Sequence, residues 1–112
     1  MANTFKSDTK ANVVTAAITD NTAVIVTAGG SSTLVLLSVL LSNKVAASAD
    51  VDVYLESGGD DVYLLRNAPV PAGSSLEVIS GSKIIMEAND KLRIRAGTAS
   101  AIDATVSYLD QT

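Results

Sequence analysis

The chain of 112 residues contains no cysteine, no histidine and no tryptophan, and it has only two prolines and four aromatic side chains. Without cysteine there is no disulfide, thiolate metal ligand or cysteine nucleophile, so the redox compartment stays open. Without histidine the commonest general base, the imidazole zinc ligand and the usual pH switch near neutrality are missing. These absences remove most hydrolase mechanisms, and we expect a protein that is not an enzyme.

Charge and hydropathy exclude two further classes of protein. The formal net charge is −4, whereas nucleic-acid binding usually depends on an excess of basic residues, so no direct nucleic-acid binding is expected. No apolar run approaches the ~18 residues of a membrane span, and residues 1–8 lack the apolar centre of a signal peptide. The sequence therefore predicts a soluble protein that is made in a cytoplasm and has no membrane partner.

What the chain does contain is a series of short runs rich in Val, Ile, Leu and Thr, separated by Gly, Ser, Asn, Asp and Pro. This pattern is typical of all-β proteins. We predict one β-sandwich domain of about eight strands over residues 11–112, jelly-roll or Greek-key-like, after a polar N-terminal arm at 1–10 that is flexible or ordered by a partner. Strands are expected at 12–19, 22–27, 33–42, 50–56, 61–66, 75–80, 83–87, 91–96 and 103–109.

The two prolines lie close together, in the segment 67–73. Proline has no backbone N–H to donate to a strand ladder, so this segment cannot be a central strand. We expect a sheet edge, or a loop that carries the chain from one sheet to the other.

The run at 34–41 is almost unbroken in apolar side chains. A strand with one wet face would alternate, so both faces of this one are expected to be covered. One cover is the core of the domain, and the other is a second layer or another protein chain. Leu34, Leu36 and Leu40 are therefore candidates for an assembly surface, and the sequence leaves open which of Leu36 and Leu40 faces outward.

Three cations follow one another at alternate positions of a predicted strand, which places Lys91, Arg93 and Arg95 on one face. They could form a docking strip for an acidic neighbour or a phosphate. The alternative, which we favour, is an outer face balanced by acids on neighbouring strands. Candidates for those acids are Glu77, Glu87 and Asp103.

Two tyrosines, Tyr54 and Tyr63, lie on the two arms of a predicted hairpin, where they would form a cross-strand pair or an exposed contact spot. The same hairpin carries a crowd of acids that could hold calcium through oxygen ligands: Asp50, Asp52, Glu56, Asp60 and Asp61. Their spacing matches no EF-hand loop, and a solvated strand face with turn residues is the interpretation we favour. No metal and no cofactor is expected.

The second half of the chain carries a resemblance to a known kind of protein. Its segments YLLRNAPVPAGSSL at 63–76, EANDKLR at 87–93 and DATVSYL at 103–109 resemble a small β-sandwich accessory protein of tailed bacteriophage virions, particularly those of phages that infect aquatic bacteria. These are structural rather than catalytic motifs, so no site is carried over from them.

The resemblance implies a non-enzymatic virion component, foremost a capsid decoration (cement) protein that stabilises the head by bridging capsid subunits. The implied partners are the major capsid protein or other virion proteins, together with further copies of the chain in a trimer or dimer. A tail, neck or fibre component is the main alternative. A carbohydrate-binding β-sandwich is a second alternative, which the lack of tryptophan disfavours.

Overall fold

The computed structural model describes residues 3–15, 21–79 and 83–111. Within these ranges the regular structure is β, apart from one 3-10 turn at Asn21–Ala23. Nine strands form two antiparallel sheets, so the all-β prediction is confirmed. The strands are β1 Asn3–Lys10, β2 Val24–Thr27, β3 Thr33–Asn43, β4 Ala49–Ser57, β5 Asp60–Val70, β6 Ser75–Glu77, β7 Ile84–Met86, β8 Lys91–Ala96 and β9 Ile102–Gln111.

Most neighbouring strands are distant in sequence because the chain repeatedly changes sheet. Sheet A has the order β1-β9-β3-β6, with β7 paired to another part of the same edge of β3. Sheet B has the order β2-β8-β4-β5. The hairpin between β4 and β5 stays within sheet B and turns at Gly58 and Gly59, which both have positive φ.

The proline segment lies where the sequence predicted. Pro69 is in β5, the edge strand of sheet B, and it therefore removes no hydrogen bond from a central ladder. Pro71 follows the strand, and the chain then continues into β6 of sheet A. The expected sheet edge and the expected crossing between sheets are both present.

The two sheets share one hydrophobic core. Its largest fully buried side chains come from both sheets and from the segment before the 3-10 turn: Val13, Leu36, Val39, Leu41, Val51, Val53, Val70, Met86, Leu92, Ile94, Ile102 and Val106. Burial of aliphatic side chains of this size stabilises the fold by about 1.5–3 kcal/mol each. The arrangement is sandwich-like, as the alternation along the strands predicts.

The long apolar strand β3 owes its pattern to a β-bulge. Its register against β9 shifts between Leu36 and Ser38, so one extra residue, Leu37, stands in the strand. Leu36 before the bulge and Val39 after it are both fully buried. The apolar run is therefore one inward face interrupted by a bulge, plus several apolar side chains that point outward.

Several predicted strands differ from those in the structure: residues 22 and 23 are in the 3-10 turn, and β5 continues to Val70, past the expected end at 66. Residues 12–15 of the expected strand 12–19 are not in a strand, and 16–19 lie outside the described residues. The expected strand 75–80 is shorter, as Ser75–Glu77, and the Val78 N–H makes one further hydrogen bond to β3, to the Val39 carbonyl oxygen at 2.8 Å. Its last residue, 80, is also outside the described ranges.

The expected N-terminal arm takes the form of an edge strand. β1 pairs with β9 along its whole length, from Asn3 opposite Gln111 to Lys10 opposite Ala104. None of its side chains is fully buried, and its inward positions are all polar: Thr4, Lys6, Asp8 and Lys10. The Tyr108 Oη donates to Asp8 Oδ2 at 3.0 Å, and Lys6 Nζ lies 3.0 Å from the Asp110 carboxylate. Inward charges on an edge strand also discourage unwanted edge pairing.

Replacing Leu36 by aspartate should unfold the domain. The side chain is fully buried, and an unpaired buried charge costs several kcal/mol, comparable with the whole stability of a domain of this size. Leu40→Asp is the matched control, since Leu40 is 36% exposed on the outer face of the same strand. Circular dichroism and urea denaturation measure both variants, and equal stability of the two would contradict the assignment of faces.

Tyr108 should make the fold sensitive to alkali. Burial and the hydrogen bond to Asp8 raise the pKa of Tyr108 from 10.0 to about 12. A raised pKa in the folded state means that its stabilising contribution is complete below pH 10.0 and is lost as pH rises towards 12.

The free energy of unfolding, measured with urea at about pH 9 and about pH 11, should fall less in Tyr108→Phe than in the wild type. Burial also raises the pKa of Tyr54, so part of the alkaline loss should remain in the variant. Identical losses in the two proteins would show that Tyr108 ionises freely in the folded state.

Candidate assembly surface

The residues proposed from the sequence divide between the core and the two outer faces. Leu34 and Leu36 are buried in the core, so in the folded chain they are not available as an assembly surface. Both precede the bulge and are two residues apart, so ordinary alternation places them on the same inward face, and the bulge brings Val39 and Leu41 to that face beyond it. Leu40, by contrast, points outward from sheet A, where it lies opposite Thr105 of β9 and Glu77 of β6.

The outer face of sheet A carries a straight row of apolar side chains, which we call the apolar row. Ile85 of β7 lies opposite Val35 of β3, Val35 lies opposite Leu109 of β9, and Leu109 lies opposite Phe5 of β1. Strands are about 4.8 Å apart, so the row is about 14 Å long. Phe5 is 77% exposed and Ile85 is 50% exposed, while the two middle side chains are half-buried.

Beside the apolar row, the side chains of this face are short and few of them are charged. Ser38, Ser107 and Ser7 face one another there across three strands. Within the described strands of sheet A the outward acidic side chains are Glu77 and Asp103, which lie away from the row. The exposed Lys83 and Glu87 flank β7 and place one charge of each sign near the Ile85 end. The face is therefore flat, apolar at one end and hydroxyl-rich beyond it.

Asp103 is also neutralised within the chain. Its Oδ1 accepts hydrogen bonds from the Asn12 backbone N–H at 2.9 Å and from Lys44 Nζ at 2.9 Å. These two donors hold the pKa of Asp103 below its ordinary value of 3.8. The carboxylate thus ties the chain after β1 to the start of β9 and to the end of β3.

The outer face of sheet B has the opposite character, because its charges are paired across strands. Arg93 Nε lies 3.0 Å from Glu56 Oε1, and Lys91 Nζ lies 3.8 Å from Glu56 Oε2. Arg95 Nη1 lies 3.2 Å from Asp52 Oδ2. The three cations therefore lie on a balanced strand face, as favoured from the sequence, but the balancing acids are on β4. Glu77, Glu87 and Asp103 are not among these partners, since β8 pairs with β2 and β4.

Asp52 has a second role that explains its burial on an outer face. Its Oδ1 accepts a hydrogen bond from the Asn67 backbone N–H at 2.6 Å. Asn67 has a positive φ of 51°, and the register between β4 and β5 is irregular around this point. The carboxylate thus satisfies a backbone donor that the irregular ladder would otherwise leave without a partner.

The two tyrosines form a cross-strand pair, one of the two arrangements expected from the sequence. The ring centroids of Tyr54 and Tyr63 are 5.3 Å apart in an edge-to-face geometry. The Arg66 guanidinium lies 5.2 Å from the Tyr63 ring centroid, a cation–π contact. Tyr54 is only 2% exposed, so Tyr63 is the member of the pair that another molecule could reach.

Other chemistry is sparse in the described ranges. No group of three or more Asp or Glu side chains there is placed to hold a metal ion, and no helix is long and apolar enough to cross a membrane. A surface depression of about 340 Å³ is lined by residues 12–15, Thr22, Ala99 and Ser100. The described part of its lining offers amide and hydroxyl groups. Comparisons with protein-family models, with characterised proteins and with solved structures found no match to this chain.

Sequence reasoning missed the ends of the apolar row. Phe5 is the only phenylalanine of the chain and stands in a polar segment, where an unpaired aromatic side chain is a signal of contact. Ile85 lies between Ile84 and Met86, which both face inward, so alternation alone would have placed it outward. What the sequence could not provide was the register that lines these two side chains up with Val35 and Leu109.

The ion pairs of sheet B should contribute to stability rather than to binding. Arg93 is only 5% exposed, and Glu56→Gln would weaken its pairing with a carboxylate. Because Glu56 is about a third exposed, the expected loss is modest, about 1–2 kcal/mol in the free energy of unfolding. The exposed Glu77 on sheet A provides the control Glu77→Gln, for which a change below about 0.5 kcal/mol is expected. Equal losses in urea denaturation would refute the structural role of the pair.

Proposed function

We propose that this chain is a non-enzymatic structural protein of a tailed-phage virion, namely a capsid decoration protein that stabilises the head by bridging capsid subunits. The observation that carries the proposal is the apolar row on a sheet face with few charged side chains. Clustered exposed apolar side chains mark contact surfaces more often than they mark free surface. The virion location itself depends on the resemblance of residues 63–76, 87–93 and 103–109.

The strand order supports a jelly roll as part of the same proposal. Sheet A reads β1-β9-β3 followed by β6 and β7 on one edge, and sheet B reads β2-β8-β4-β5. If β6 and β7 are counted as one interrupted strand, there are four strands in each sheet, the usual number for two interleaved Greek keys. Jelly rolls occur in viral capsid and lectin domains alike, so the fold is compatible with a virion role without establishing it.

The distribution of charge supports a role in assembly over a role in catalysis. The cations of sheet B are engaged by Asp52 and Glu56, and Asp103 is engaged by Lys44. Perturbed and convergent titratable groups in a cleft are the usual physical sign of a catalytic site. The groups with shifted pKa values here instead lie in cross-strand contacts, where each has a structural partner.

The proposal predicts that the purified protein binds phage heads. Expanded heads that lack decoration, prepared from the phage that encodes this chain, should carry the wild-type protein into the pellet in saturable amounts. Phe5→Asp should co-sediment at least tenfold less well, because a charge at the end of the apolar row disrupts the contact. Val62→Asp is the matched control, since Val62 is 51% exposed on sheet B, and it should bind as the wild type does.

The location of the protein in the virion distinguishes the decoration proposal from the tail-component alternative. Immunogold labelling over the whole head, with a high copy number in each virion, is the expected outcome. Labelling confined to the tail would replace the decoration proposal with a tail, neck or fibre component. Failure to bind heads together with binding to host polysaccharide on a glycan array would favour a carbohydrate-binding module instead.

A further inference from the structure

We propose that β1 opens from β9 as a unit, about a hinge at residues 11 and 12, while the rest of the sandwich stays folded. Phe5 lies in the apolar row only through the pairing of β1 with β9, so only the docked strand presents a complete row. Docking of β1 therefore regulates the capsid contact, a consequence that rests on the proposed function.

Side-chain burial holds β1 only weakly. Phe5 is the one apolar residue of the strand and is 77% exposed, and no residue of β1 belongs to the hydrophobic core. The other long edge strand, β5, buries Val70 completely and packs Leu64 and Leu65 against the core. Segments with few buried apolar contacts open locally at the lowest free energy. Of the two long edge strands, β1 is therefore the one that can open separately.

The inward polar contacts of β1 do not replace a hydrophobic anchor. Lys6 pairs with Asp110 while its side chain is 48% exposed, and exposed ion pairs contribute little to stability. The Asp110 Oδ1 is buried without a hydrogen-bond partner among the described residues, which disfavours the docked state. Asp110 stands opposite Thr4 of β1, so opening lets water reach this oxygen. The hydrogen bond from Tyr108 to Asp8 is then the strongest side-chain contact of the strand.

The chain after β1 provides a fixed point about which the strand can turn. Asn12 has a positive φ of 57°, and its backbone N–H donates to Asp103. Val13 is 1% exposed, and its N–H donates to the Ile102 carbonyl oxygen at 2.7 Å. Residues 11 and 12 alone therefore separate β1 from a buried, hydrogen-bonded residue. Hinges are commonly a few positions of this kind at the end of an element.

Two sets of amides in β9 distinguish opening of β1 from unfolding of the sandwich. In a central antiparallel strand the N–H groups point alternately to the two neighbouring strands. The Ile102 carbonyl oxygen accepts from Val13, and Asn43, which lies opposite Ile102 in β3, donates instead to Ser74. Residue 102 therefore faces away from β3. By alternation, the amides that face β1 are those of Ala104, Val106 and Tyr108, and the amides that face β3 are those of Thr105, Ser107 and Leu109.

Amide hydrogen exchange of the free protein, measured by NMR, tests the opening directly. The amides of β9 that face β1 should exchange at least about tenfold faster than those that face β3, because only the first set is released when β1 opens. Their exchange should also depend little on dilute urea, since local opening exposes little surface. One common rate for both sets, with one urea dependence, would overturn the proposal.

A disulfide between β1 and β9 provides the matched control. Ser7 and Ser107 lie opposite each other, and because the Ser107 amide faces β3 they form a non-hydrogen-bonded pair, with Cα atoms about 4.5 Å apart. This distance suits a disulfide, and the chain has no other cysteine to compete. In Ser7→Cys/Ser107→Cys the oxidised form should slow the amides that face β1 to within about threefold of the other set. The reduced form should exchange as the wild type does, and fast exchange that persists after oxidation would contradict opening of β1.

Undecorated heads test the link to the capsid contact. At a concentration of head sites about ten times the dissociation constant, deuterium uptake by residues 3–10 should slow about tenfold, because binding selects the docked strand. Uptake by residues 60–66 on sheet B is the internal control and should not change.

The outcomes separate this inference from the proposed function. If the amides that face β1 exchange by local opening but heads are not bound, the hinged strand stands and the decoration function is refuted. If heads are bound while uptake by residues 3–10 is unchanged, the decoration function stands and regulation by β1 is refuted.

Discussion

The register of β3 against β9 is the constraint on which the rest of the structure depends. These are the two central strands of sheet A, and the bulge at Leu37 decides which side chains of β3 enter the core. A slip of one residue would exchange the inner and outer faces of the strand. With the bulge in place, Leu36 and Val39 are buried, and Val35 stands outward in line with its neighbours.

The two outer faces of the sandwich differ in how far their own side chains cover one another from water. Sheet B covers its outer face with ion pairs and a tyrosine pair, which lets Tyr54 and Arg93 reach 2% and 5% exposure without another layer above them. Sheet A leaves Phe5 and Ile85 exposed beside short hydroxyl side chains. An outer face whose side chains already pair with one another gains little free energy from a partner. An apolar row gains free energy when a partner removes water from it. The proposed assembly therefore uses sheet A.

The difference between the two faces also indicates what the polar N-terminal segment contributes to the structure. Phe5 reaches the apolar row only because β1 pairs with β9 along its full length. The strand itself contributes little to the core, and its inward contacts are the polar ones made by Asp8 and Lys6. Its main contribution is to widen sheet A by one strand and to place one aromatic side chain at the end of the row.

The sequence by itself determined the all-β class, the positions of most strands and the crossing at the prolines. These properties follow from local composition and alternation, which act over a few residues. Only the tertiary structure decided that Leu34 and Leu36 are core residues, that Asp52 and Glu56 balance the cations of β8, and that Phe5, Leu109, Val35 and Ile85 form one row. These features depend on strand order and register, which join residues far apart in the chain and which no local pattern specifies.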